Sequence, residues 1–310
     1  MNLRQLEYLA ALAEEHHFGR AATRCGVSQP TLSSQLRRLE VELGGPLVSR
    51  GTSAEPTELG TRVIGPTRHI LALAADICAI GEESRAGSAP VSGILRVGIF
   101  PTLASSLLPH LLDGMGRSAP GVRVQVVEQK TTQLFDMLAR GALDVALVAS
   151  EIDDPRLSAQ PVFREDFLLA LPAGDPMATA PGPIEAAALR GSDVMLMSEG
   201  HCLRDQVLEV CAQSRAGVQK DVHADSMATL WQLVAAGIGR TLVPRMAVSP
   251  PMAPDPRVVL REFTAPRPHR DVSLCGRPAV LERRTVRALD AVLRDLPQGL
   301  TTPLGPVPTA

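Results

Sequence analysis

The chain is poor in several features that would otherwise set its chemistry. Aromatic residues make up only 3% of its 310 positions, so Leu, Val and Ala must build the core that a 45% hydrophobic fraction implies. Lysine is almost missing: of 31 basic residues only Lys130 and Lys220 are lysine. A formal net charge of −2 gives no bulk attraction for nucleic acid. Cys25, Cys78, Cys202, Cys211 and Cys275 form no Cys-x-x-Cys pair and no metal-ligand spacing, so no metal is expected. Gly-x-Gly-x-x-Gly, Walker-type and His-Glu-x-x-His motifs do not occur, which leaves nucleotide and zinc-hydrolase readings without support and no cofactor implied. No uncharged apolar run reaches about 18 residues, so no membrane span is expected. Met1 to Glu7 has no apolar h-region and reads as a mature cytoplasmic start.

What is there begins with arrangement rather than charge. Residues 1–70 hold eight arginines against seven glutamates, a balance of only +1, so any DNA claim rests on where those residues stand. Leu3 to Ala13 has apolar residues at helical spacing, and Phe18 to Arg24 is a second short helix. Cys25-Gly26-Val27 is a tight turn in which Gly26 takes positive φ. Ser28 is then a good N-cap and Pro30 suits a first helical turn. In the helix that follows, Leu32, Leu36 and Leu39 share one face, while Thr31, Ser34, Gln35 and Arg38 share the other. Helix, glycine turn, helix with a polar and basic outer face is the helix-turn-helix arrangement. A solvated amphipathic helix of a small bundle fits the same pattern. Gly44 to Arg50 and Pro56 to Gly60 read as a short winged hairpin. A long helix from about Glu58 to Arg85 carries an apolar stripe of Ile64, Ile70, Leu71, Leu73, Ile77 and Ile80, which predicts pairing with another chain. Ala86 to Gly93 holds the breaker residues of a linker.

Beyond the linker, strand and helix patterns alternate: Ile94–Ile99, Leu103–Met115, Val122–Val127, Thr132–Arg140 and Asp144–Val148. That alternation predicts a parallel α/β sheet. A second unit runs from about Arg164 to Phe263, and Asp271–Cys275 with Arg283–Arg294 returns to the first. The fold class is therefore α/β, with two lobes and a cleft at strand C-termini.

Cys202 and Cys211 stand nine residues apart, where a strand ending at Met195-Leu196-Met197 gives way to a helix. Nine helical residues rise roughly 13–14 Å, whereas a disulfide needs Cα atoms about 4.4–6.8 Å apart. If these thiols bond, the helix between them must unwind, which makes the pair a candidate redox switch. At the helix start Cys202 is expected to ionise more readily, helped by the dipole and by His201 and Arg204. Cys211 lacks that help and reads as the resolving thiol. Free cysteine is also commonly a small buried hydrophobe, and the spacing fits that reading too.

The chain resembles the LysR-type transcriptional regulators, and among them the peroxide-sensing branch. Leu6-Glu7-Tyr8, Arg20-Ala21-Ala22 and Val27 to Ser33 carry the first likeness; Gly200 to Gln206 with Cys211 carries the second. The resemblance implies an N-terminal winged helix-turn-helix (1–60), a linker and dimerisation helix with hinge (61–90), and a two-lobed regulatory domain resembling periplasmic binding proteins (91–310). Its lobes would be about 91–163 with 269–310, and about 164–268. It implies DNA contacts by Ser28, Gln29, Pro30, Thr31, Ser33, Ser34, Arg37, Arg38 and Arg50. It further implies a peroxidatic Cys202, a resolving Cys211, and a peroxide pocket of Thr102, Thr131, His201, Asp205 and Arg277. The implied partners are promoter DNA, further copies of the chain as dimer or tetramer, RNA polymerase, hydrogen peroxide and a glutaredoxin- or thioredoxin-type reductant. Departures stand beside the likeness. The wing, Gly51 to Pro56, has no basic residue and carries Glu55; Thr132 stands where some relatives have His; and Cys275 is an extra thiol. The alternative is a regulator of the same family that binds a small metabolite between its lobes. An enzyme is not expected, because a DNA-reading domain would then have no role.

Overall fold

A computed structural model describes residues 1–49, 53–86, 89–250 and 255–305. The chain forms two compact units, one chiefly of residues 1–88 and one of residues 89–138 and 143–310.

The first unit holds helices α1 (Leu3–Glu15), α2 (Phe18–Arg24), α3 (Gln29–Leu43) and α4 (Glu58–Ala86). Its turn is built as the sequence dictates. Gly26 sits at φ +66°, and Ser28 caps α3 by accepting from the Thr31 N–H. Leu32, Leu36 and Leu39 are buried against Leu9, Leu12 and Ala21, each contributing about 1.5–3 kcal/mol of burial free energy. The Glu40 carboxylate is buried and accepts the Leu47 N–H at 3.0 Å, tying α3 to the wing. A single antiparallel bridge joins Val48 to Pro56.

Helix α4 corrects one expectation. Ile64 and Leu71 pack into this unit's own core. The outward apolar face is instead Ile70, Leu73, Ile77 and Ile80, at spacings of three, four and three, all exposed. An 18-residue window within Glu58–Gly81 reaches a mean hydropathy of 1.4, yet Arg68 and the buried Asp76 interrupt the stretch, so no uncharged run of that length occurs.

The second unit is built on an eight-stranded sheet that is mixed, not parallel throughout. Strands β1 (Ser92–Ile99), β2 (Gly121–Glu128) and β3 (Val145–Val148) are parallel. Helices α5 (Pro101–Ser118) and α6 (Thr131–Ala139) connect them. The long β4 (Ser158–Pro172) follows, then β5 (Asp193–Met197), α7 (Cys202–Ser214), β6 (Gly217–Ala224), α8 (Met227–Ala235), β7 (Thr241–Pro244) and β8 (Val258–Arg261). The chain closes with β9 (His269–Gly276), α9 (Pro278–Leu281), α10 (Arg284–Arg294) and β10 (Thr302–Pro303). β9 lies antiparallel between β3 and the first half of β4, while the second half of β4 pairs with β7 and β8. One strand thus belongs to two lobes, and the cores divide along it. Phe163 packs with Val97, Leu147 and Leu274, and Phe167 packs with Val194, Leu230 and Phe263. A separate parallel pair, β5–β6, delivers the chain to Cys202.

Candidate redox site and nucleic-acid interface

Three helices begin at one place. Cys202 is the first residue of α7, Thr131 the first of α6 and Thr102 the second of α5. The hydroxyls of Thr131 and Thr102 lie against the Cys202 thiol, and so does the Leu203 N–H. Helix starts present unpaired N–H groups and a partial positive charge, so their convergence favours an anion there. Thr131 Oγ1 is buried without a hydrogen-bond partner among the described residues.

The cation of the site is Arg270, which sequence reasoning missed. Its side chain is wholly buried and ion-paired with Glu165, itself wholly buried, at 2.7 Å. It donates to Thr102 Oγ1 at 3.0 Å and to the Thr102 carbonyl at 3.3 Å, and its guanidinium lies 5.1 Å from the centre of the Phe100 ring. The second oxygen of Glu165 accepts the Met246 N–H at 2.8 Å. Arg277, expected in the pocket, is elsewhere: it caps α9 and donates to the carbonyls of Leu138 at 2.7 Å and Leu143 at 3.4 Å. That buried guanidinium is not among the groups acting on the Cys202 sulfur.

The charge state of Cys202 also departs from expectation. Burial pushes its thiol up; Arg270, Thr131, the Leu203 N–H and Thr102 pull the other way without offsetting that loss of water. His201, buried beside it, is held below the usual histidine value by burial and by Lys130, so it adds no charge at neutral pH. Arg204 turns away and donates to the Met197 carbonyl. Cys202 is therefore a thiol inside a thiolate-stabilising frame.

On its other side Cys202 opens onto a cleft of about 1020 Å³, walled by Asp205, Gln206, Glu209, His269, Asp271 and Ser273 among others. Asp205 is exposed on that wall, and Thr102 and Thr131 are not part of it. Cys202 thus borders the cleft, while its thiol is buried against Thr102 and Thr131 behind that wall. Two hydrogen bonds cross between the lobes beside it: Lys130 Nζ to the Glu199 carbonyl at 3.2 Å, and Gln206 Nε2 to the Ala149 carbonyl at 2.8 Å.

Cys211 is buried in the second lobe's core, its thiol pushed up by burial, with α7 unbroken between it and Cys202. Cys275 is wholly buried in β9, and burial pushes its thiol up to about 12. Among the described residues all five cysteines are free and no cluster could hold a metal ion.

In the first unit, Ser28, Gln29, Pro30, Thr31, Ser34, Arg37 and Arg38 are exposed along one side of α3, while Ser33 is half-buried. Ser28 is occupied as a cap and shares a 2.8 Å hydrogen bond with the Thr31 hydroxyl. Gln35 is drawn inward as acceptor for Gln5 Nε2. Arg50 lies outside the described residues. The near-neutral balance is resolved by segregation of charge. Glu14 and Glu15 pair with Arg20, Arg24 and Arg68, and Glu55 pairs with His16. Arg37 and Arg38 form no ion pair among the described residues. The groups available to a nucleic acid are thus basic and polar.

Two family profiles match: "Bacterial regulatory helix-turn-helix protein, lysR family" over residues 3–61, and "LysR substrate binding domain" over residues 88–298. The chain is 37% identical over 298 residues to the DNA-binding transcriptional dual regulator OxyR of Escherichia coli K12, covering 95% of each. It is 37% identical over 296 residues to a probable hydrogen peroxide-inducible genes activator of Streptomyces viridosporus, covering 95% of this chain and 94% of that one. Among solved structures, a full-length OxyR variant from Pseudomonas aeruginosa matches with a TM-score of 0.80 at 34% identity, covering 95% of each chain. An OxyR variant from Corynebacterium glutamicum with hydrogen peroxide bound matches with a TM-score of 0.62 at 31% identity, covering 94% of this chain and 93% of that one.

Proposed function

The chain belongs to the LysR family of bacterial helix-turn-helix regulators, and from that premise we propose that it is a peroxide-responsive transcription factor switched by a disulfide between Cys202 and Cys211. The observation that carries this reading is the frame around Cys202: three helix starts, two hydroxyls and a buried arginine on one sulfur, with a second thiol nine residues along the same helix.

The chemistry follows from those groups. The Cys202 thiol gives up its proton and the thiolate attacks one oxygen of hydrogen peroxide; an S–O bond forms, the O–O bond breaks, and the departing oxygen takes up that proton and leaves as water. Sulfur is oxidised by two electrons and peroxide is reduced. Thr102 and Thr131 orient the peroxide, Arg270 stabilises the departing oxygen, Asp205 stands on the cleft wall, and the buried His201 lies beside Cys202. The helix then unwinds and the Cys211 sulfur attacks the sulfenic sulfur. An S–S bond forms, the S–O bond breaks and water leaves with the Cys211 proton. A bistable segment is thereby trapped in its second form, and the altered lobe surface re-aims the DNA-reading units.

In this reading residues 1–60 read promoter DNA, with α3 in a major groove and Gln29, Thr31, Ser34, Arg37 and Arg38 at bases or phosphates. Residues 61–90 pair two copies through Ile70, Leu73, Ile77 and Ile80, two pairs give a tetramer, and residues 91–310 sense. The protein works in the cytoplasm with RNA polymerase and is reset by a glutaredoxin- or thioredoxin-type thiol reductant. The open cleft beside Cys202 favours a second reading, a metabolite held between the lobes. One experiment separates them: non-reducing peptide mapping of the full chain after stoichiometric hydrogen peroxide, with transcription measured in parallel. The expected result is a Cys202–Cys211 bond together with activation, and Cys211→Ser stopping at sulfenic acid. Full, reversible activation of Cys211→Ser would refute the disulfide switch.

A further inference from the structure

We propose that Lys130 and Gln206 gate the second, disulfide-forming step, an inference that rests on the function proposed above. Both are side-chain donors that reach a main-chain carbonyl of the opposite lobe. Lys130, on the connection between β2 and α6, holds the Glu199 carbonyl, three residues before Cys202. Gln206, four residues after Cys202, holds the Ala149 carbonyl just past β3. The two bonds pin the reactive segment from either side. Gly200 lies between them at φ +83°, and a Cβ there would stand 3.1 Å from Lys130 Nζ, so the lysine lies tight over the loop. The Gln206 side-chain oxygen is buried without a partner, so its amide is held in place by one bond across the lobes.

The two chemical steps ask opposite things of this segment. Attack on peroxide needs Cys202 where it now is, at the meeting of α5, α6 and α7. Condensation needs residues 202–211 to leave the helix, because Cys211 is buried about two and a half turns along it. The bonds at Glu199 and Ala149 hold only while the segment keeps its present place, so they oppose the second step and leave the first untouched. They set how long the sulfenic acid lives before it is resolved.

The test uses the full-length chain with hydrogen peroxide in single turnover at pH 8, where His201 is neutral with or without Lys130. Sulfenic acid is trapped with a dione reagent and disulfide is followed by quenched mass spectrometry. Lys130→Met and Gln206→Met each remove one donor and keep the stem. Gln213→Ala is the control, since its amide bonds only Glu209 on the same helix. The expected result is that each latch variant forms disulfide about fivefold faster, the value of one net hydrogen bond, while sulfenic acid formation stays within about twofold. An unchanged second step in both latch variants overturns the inference, as does an equal acceleration in Gln213→Ala, which would point to loosened helix rather than released lobes. If Cys202 of the parent protein is not oxidised at all, it is the proposed function that fails, and the inference falls with it.

Discussion

Arg270 offers the sharpest test of how the site works. It is wholly buried, paired with a wholly buried Glu165, and supplies both hydrogen bonds that fix Thr102. Arg270→Met leaves the Glu165 carboxylate buried with only the Met246 N–H as donor. Breaking a buried pair from one side costs about 3–5 kcal/mol, so this variant is expected to be severely destabilised. The double variant Arg270→Met/Glu165→Gln removes the stranded charge and keeps the Met246 hydrogen bond, so most of that loss should return. What does not return is the cation beside Cys202. The charge, the first of the groups that favour the thiolate, is gone, and the thiol moves further up from its already raised position. Two assays read this out: urea unfolding for stability, and the pH dependence of iodoacetamide alkylation at Cys202 in a chain with the other four cysteines replaced. The alkylation curve of the double variant should shift to higher pH relative to the parent. A folded double variant with an unshifted curve would show that Arg270 is only a structural cation and that its role in the proposed chemistry is wrong.

Other outcomes follow from other parts of the molecule. Ile77→Glu should give a folded monomer in light scattering, because Ile77 is 70% exposed and each Ile removed from a paired seam takes away about 1.5–3 kcal/mol; a dimer of parental strength would dismiss the seam. Gln29→Ala/Thr31→Ala should relax sequence preference by about 1–3 kcal/mol for each base-edge hydrogen bond removed, with footprints on specific and random DNA as the measure. Cys275 stays protonated in the fold until about 12, from an ordinary value of 9.0. Between those values only the unfolded chain ionises, so the stability held below pH 9 is lost as pH rises, by about 1.4 kcal/mol at pH 10. Cys275→Ala should flatten that alkaline slope in urea titrations, and an unchanged slope would contradict the assignment.

Local signals were legible in the sequence and tertiary ones were not. The Ser28 cap, the Gly26 turn and the Leu32–Leu36–Leu39 face each follow from a few neighbouring residues, and the helix that starts at Cys202 was readable for the same reason. Arg270 could not be found that way. Its partner Glu165 lies 105 residues away in sequence and its acceptor Thr102 lies 168 away, so nothing in the Arg270-Asp271 strand marks it as buried. The acidity of Cys202 was misjudged on the same ground. A helix start is a local feature that lowers a thiol, whereas the burial that outweighs it is supplied by α5, α6 and β9 packing over the sulfur. Which face of α4 turns inward was likewise decided by α1 and the helix-turn-helix core, not by the stripe itself.

The place of Cys211 carries a consequence for time. Its side chain is part of the second lobe's interior, among Val207, Val210 and Leu203. Under the proposed mechanism, oxidation pulls it out and leaves a vacancy where packing was complete, with the helix melted around it. That form is held by one covalent bond against the whole tendency of the lobe to refill its centre. Once a reductant cuts the bond, the segment recoils unaided, as a spring does when its catch is lifted. The duration of the signal is then a property of the cell's thiols, while the return to readiness is written into the lobe.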